Sequence, residues 1–178
     1  RKVIKDLPEE DVWQTYSQEG FYDRESSARN HARGELAAVQ MARKEYVEAL
    51  DLLLRGGFWQ DAAYVAEQVL STKELTKYVD KHWPKTEETE TPEKDSWESR
   101  RHRSPGNRLR YLLARRLTRE GKWNRSRNYY PVSLRERLDV YAKAIRASQD
   151  RKRSGAQRAK SLWELARITR WEGMELLG

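Results

Sequence analysis

Apolar residues in this chain recur at intervals of three and four, the period of a helix with one buried face, and no stretch alternates as a strand would. Asp6, Leu7 and Pro8 open the first expected helix, which Gly20 closes. Ser26 and Ser27 begin a second, whose periodicity runs through Ala28, Ala32, Leu36 and Val39 to about Arg43. Tyr46, Leu50, Leu53 and Leu54 form one stripe that ends at Gly56 and Gly57, and Ala62, Val65, Ala66 and Val69 form the next. Ser71 and Glu74 stand at capping-box spacing before a short helix to about Asp80. After residue 106 the pattern resumes with Leu109, Leu112, Leu113 and Leu117, ending at Gly121, and a short helix follows Trp123 as far as Pro131. Ser133 and Glu136 read as another capping box, leading Leu134, Leu138, Tyr141 and Ile145 along one side. A basic loop over residues 148–155 precedes a last helix over about 156–171, with Gly173 as its left-handed terminator.

One unit recurs inside this pattern. Lys44-Glu45-Tyr46 with Ala49, Gly57-Phe58-Trp59 with Ala62, and Gly121-Lys122-Trp123 with Ser126 each join a turn to an aromatic and then a small residue three places on. In an αα-hairpin the turn reverses the chain, the aromatic wedges between two helices, and the small residue lets them approach closely. The expected fold is therefore all-α, an irregular αα-hairpin solenoid of about 8–9 helices with one long polar loop. Its divisions are an acidic helical block over 1–83, a polar charged linker over 84–106, and a basic helical block over 107–178.

Composition sharpens this picture. The 178 residues are 37% hydrophobic and 36% charged, so most helices should keep a wet face, while seven Trp and nine Tyr argue against wholesale disorder. With no Cys, disulfides and thiolate metal sites are excluded. No apolar run approaches the ~20 residues of a membrane span. The chain begins at Arg1; a soluble or peripheral protein is expected, extracytoplasmic in a bacterium if a targeting segment was removed before that residue. The net charge of +8 is unevenly spread: residues 1–90 sum to −5 and residues 91–178 to +13.

Candidate chemistry is sparse. His31, His82 and His102 have no partner at metal-ligand spacing, no glycine-rich phosphate loop is present, and no nucleophile stands beside a base, so neither a metal, a cofactor nor catalysis is expected. The basic stretch 100–127 is the main alternative. It includes Arg101, Arg103, Arg108, Arg115 and Arg119, interleaved with Trp97 and Trp123, a mixture suited to single-stranded nucleic acid or another acidic surface. Arg108, Arg115 and Arg119 share one arc expected to be exposed, whereas Arg116 falls among leucines and should meet a buried acid or snorkel. The competing reading is a solvated arginine face interleaved with the acidic block, and it is the favoured one. Trp163, Arg167 and Trp171, at i, i+4 and i+8, suit either a guanidinium held between two indoles within the packed array, the favoured reading, or a partner-binding hot spot.

The three turn units resemble the tetratricopeptide (TPR) repeat, whose helix pair carries a Gly-x-aromatic-x-x-Ala turn. Gly57, Trp59 and Ala62 match it; Gly121, Trp123 and Ser126 match it with Ser for Ala; Lys44, Tyr46 and Ala49 match it without the glycine. Leu113 and Ala114 resemble the packing positions before the turn, and residues 162–178 resemble a further first helix. The whole is similar to uncharacterised TPR-like bacterial proteins. The resemblance implies a protein–protein interaction scaffold, a subunit among other protein subunits. The spacing departs from tandem repeats: Gly57 and Gly121 lie 64 residues apart, no multiple of 34.

Overall fold

The computed structural model describes residues 24–83 and 104–178, with side chains from Ala28 onward in the first segment. The expected helix over residues 6–20 and most of the linker lie outside the described residues. What is described is all-helical, with no strand among the described residues. The helices are α1 (Arg24–Ala42), α2 (Tyr46–Gly56), α3 (Trp59–Tyr64, continued by a π-helical turn Val65–Val69), α4 (Thr72–His82), α5 (Pro105–Arg119), α6 (Trp123–Ser126), α7 (Val132–Gln149) and α8 (Gly155–Leu176).

The three turn units have one backbone. Lys44, Gly57 and Gly121 adopt φ of 60°, 78° and 74°, the left-handed conformation that ends a helix. The next amide donates to a carbonyl five residues back in each case: Glu45 to Gln40, Phe58 to Leu53 and Lys122 to Leu117, all at 2.9 Å. The left-handed residue's own amide donates three residues back, to Met41, Leu54 and Thr118. Each is thus a Schellman motif, and each following helix starts at the aromatic, Tyr46, Trp59 or Trp123. The small residues Ala49, Ala62 and Ser126 are fully buried, as close helix approach requires.

Helices pack chiefly on their neighbours in the chain: α1 on α2, α2 on α3, α4 on α5, α5 on α6, and α7 on α8 in a long hairpin. One core joins Leu50, Leu53, Leu54, Val65, Leu70, Leu75 and Val79 with Leu109, Leu112, Leu113 and Leu117 of α5. A second joins Ala114 and Tyr130 with Leu134, Leu138, Tyr141, Ile168 and Leu176. α5 therefore has a face in each core and is the common wall between the two expected blocks.

Several boundaries and faces differ from the sequence-based reading. On α1, Ala28, Ala32 and Val39 are exposed and Leu36 is only half-buried; Ala37 and Gln40 are the buried residues. That face wins because Gly34 admits the Phe58 ring within 3.0 Å of where a Cβ would sit, and Arg33 donates to the Arg55 carbonyl. Ser133 forms no capping box, because the chain becomes helical just after Pro131 and leaves Ser133 inside the first turn. Ser154 makes a capping box with Gln157 instead, at the start of α8. Gly173 is not a terminator: α8 runs through it to Leu176, and its carbonyl still accepts from Leu177 at 2.7 Å. Residues 162–176 accordingly belong to the second helix of the α7–α8 hairpin, not to a new first helix. The linker ends earlier than residue 106, since Ser104 caps α5 and Gly106 is buried against Trp83.

Candidate interaction surface

Three arginines of α5, Arg110, Arg116 and Arg119, point at the ends of other helices. The last four carbonyls of a helix lack intrahelical donors and carry the negative end of its dipole, so a guanidinium there makes charge-assisted hydrogen bonds. The hydrogen bonds of Arg116 go to carbonyls and not to a buried acid: it donates to Ala66 and Leu70 at the end of α3 and its π turn, the latter at 2.9 Å. Arg110 donates to the Trp83 carbonyl beyond α4 at 2.7 Å and to Asn128 O at 3.1 Å. Arg119 donates to the Leu177 carbonyl past α8 and pairs with Glu67. Tyr111 and Tyr130 close the same helix end, their hydroxyls donating to Glu175 O and Leu176 O. Burial pushes the Tyr130 hydroxyl up to about 12.

Arg108 and Arg115 complete the correction. Of the arc expected to be exposed, Arg119 is exposed, though paired with Glu67, while Arg108 and Arg115 are not. Arg108 is half-buried with its guanidinium 3.7 Å from the centre of the Trp59 ring, and burial lowers its pKa. Arg115, also half-buried, lies 5.0 Å from the Tyr111 ring. Trp123 is approached in the same way by Arg146 of α7, at 5.2 Å. Two of the three turn aromatics thus carry an arginine over the ring. Trp97, Arg101, Arg103 and His102 lie outside the described residues.

Other titratable groups are similarly engaged. Tyr78 donates to Asp51 at 2.9 Å, and burial followed by the Asp51 charge raises its pKa strongly. His82 stacks on Tyr78 with centroids 4.4 Å apart, and burial lowers its pKa. His31 is exposed and pairs with Glu35 at 3.2 Å. Among the described residues no group of three His, Asp or Glu side chains is placed to hold a metal ion, and no helix is long and apolar enough to cross a membrane.

The outward face of α8 is different. Trp163 and Trp171 are 70% and 74% exposed, Met174 is 80% exposed and Leu162 53%. Arg167 does not sit between the two indoles; it too is exposed, and the guanidinium over Trp171 is that of Arg170, at 5.4 Å. The trio does not pack into the array because the α7 contact falls on the opposite side, where Ile168 and Leu176 are buried. Glu172 and Glu175 are drawn to that side by Arg137 of α7, at 3.8 and 2.9 Å. Comparison with protein-family models, with curated proteins and with solved structures returned no match.

Proposed function

We propose that this chain is a non-catalytic, TPR-like helical-repeat module, an αα-hairpin solenoid that serves as a protein–protein interaction scaffold in a larger assembly. The observation that carries this reading is the outer face of α8, where Trp163, Trp171 and Met174 stand in solvent beside Arg167 and Arg170. Large exposed apolar side chains gathered on one face mark interaction sites, and Trp and Arg are among the residues enriched in interfacial hot spots. The thrice-repeated Schellman turn supports the repeat architecture, since stacked helix pairs reuse one turn geometry to reverse the chain.

The second reading, a nucleic-acid-binding helical protein using residues 100–127, is weakened by the engagement of Arg108, Arg110, Arg115, Arg116 and Arg119 within the fold. A salt titration separates the two. Labelled single- and double-stranded RNA and DNA should show no steep, salt-dependent binding to the full chain. A log–log salt slope equivalent to several phosphate contacts, lost on charge removal at Arg101 and Arg103, would favour nucleic acid and displace the scaffold.

A further inference from the structure

We infer that the outer face of α8 docks an amphipathic helix from another protein, one that presents carboxylates at its centre and apolar residues on either side. The inference rests on the scaffold reading and gives its partner a chemistry. Trp163, Arg167, Arg170 and Met174 follow one another at i, i+4, i+7 and i+11, the spacing of a seam that meets a second helix. At 1.5 Å per residue this seam is about 16 Å long, three turns of a partner helix. Its ends are apolar and its middle is cationic.

Charge selects the occupant. Four arginines pair with acids within the fold: Arg137 with Glu172 and Glu175, Arg127 with Asp139, Arg119 with Glu67, Arg153 with Asp150. Lys160, Arg167 and Arg170 are exposed with no carboxylate within ion-pair distance among the described residues, and two acids of the same helix, Glu172 and Glu175, are drawn to Arg137 of α7. A patch that combines apolar ends with two unpaired guanidiniums fits carboxylates between apolar side chains, which can accept bidentate hydrogen bonds. A membrane surface fits less well. A helix lying in a bilayer interface keeps its cations at the flanks of the apolar arc, whereas Arg167 and Arg170 occupy the middle of this one and would be buried with Trp163 and Met174.

The test uses the full chain and two labelled helical peptides of about 18 residues, long enough to hold several turns. Both carry Leu opposite Trp163 and Met174; one carries Glu opposite Arg167 and Arg170, the other Lys. By fluorescence anisotropy the Glu peptide should bind at least ~10-fold more tightly than the Lys peptide. Arg167→Glu with Arg170→Glu should invert that preference. Trp163→Ala should weaken the Glu peptide by about 30-fold, the size of an interfacial tryptophan hot spot. Circular dichroism of each variant should match that of the parent, because the replaced side chains are exposed. Equal affinity for both peptides, no binding of either, or an unchanged preference after the double reversal overturns the inference. So does tighter association with vesicles of anionic lipid, accompanied by a blue shift of tryptophan emission that Trp163→Phe diminishes. A protein partner mapped by cross-linking to a different face would overturn this inference and leave the scaffold standing, whereas steep nucleic-acid binding would overturn the scaffold itself.

Discussion

Lys44 occupies, at φ 60°, the position that Gly57 and Gly121 occupy in the other two turns. A side chain in the left-handed region costs roughly 1–2 kcal/mol, because its Cβ crowds the following carbonyl oxygen. Replacing Lys44 by Gly removes that strain but widens the unfolded ensemble, which returns about 0.4–1 kcal/mol. Lys44 is exposed, so no packing is lost. The net expectation for Lys44→Gly is a gain of about 0.5–1 kcal/mol, and for Gly121→Ala a loss of similar size. At Gly121 the loss is purely conformational, since an added Cβ would meet only Trp123, at 3.9 Å. For a chain of 178 residues these changes correspond to Tm shifts of about 1–4 °C in opposite directions, resolvable by scanning calorimetry and checked by urea midpoints. A lowered Tm for Lys44→Gly, or an unchanged one for Gly121→Ala, would refute the assignment of one shared turn.

Gly106→Ala should destabilise despite its helical position, by about 1–3 kcal/mol, because the new Cβ would lie 2.6 Å from the Trp83 indole; Trp83→Ala in the same chain should abolish that penalty, read as coupling in a double-mutant cycle. Arg116→Met should cost about 1–3 kcal/mol in urea unfolding, since the Ala66 and Leu70 carbonyls lose their donor. Stability should fall on acidification. The His82 pKa is lowered in the fold, so its contribution is complete above the ordinary His value of 6.5 and is lost as pH drops through the folded value; Glu74 and Glu120, also lowered, by hydrogen bonds from Ser71 and from Lys122 and Thr72, add further loss below 4.5. His82→Gln should flatten the upper part of that profile in urea midpoints taken across neutral to mildly acidic pH. Trp163→Ala should change stability by less than ~0.5 kcal/mol, whereas truncating the half-buried Trp59 or Trp123 should cost several times more.

What was legible in the chain was what local chemistry decides. Schellman turns need a left-handed residue and hydrogen bonds within six residues, and Gly57 and Gly121 announce them; the leucines of α2 and α5 are inward because nothing else could cover them. What depended on a distant partner was not legible. The face of α1 was set by Phe58 and Arg55, not by its own alanines, and Val39 is left in water. Arg116 met carbonyls 46 and 50 residues away, which no spacing within α5 encodes. Gly106, which lies in the polar segment by composition, is a close-approach glycine only because Trp83 packs on it. On α8 the residues were visible as a unit, Trp163, Arg167 and Trp171, but their exposure followed from which side α7 covers.

The central claim is that α8 presents a protein-docking face, and site-specific photo-cross-linking tests it most directly. A photoreactive residue replaces Trp163 in one version of the full chain and the exposed Tyr64 of α3 in another, each expressed in its native cells. The account predicts a discrete protein adduct from the Trp163 position only, with the attached peptide mapping to an amphipathic helix that carries Asp or Glu between apolar residues. Adducts to nucleic acid or lipid from that position, or the same protein adducts from both positions, would contradict it.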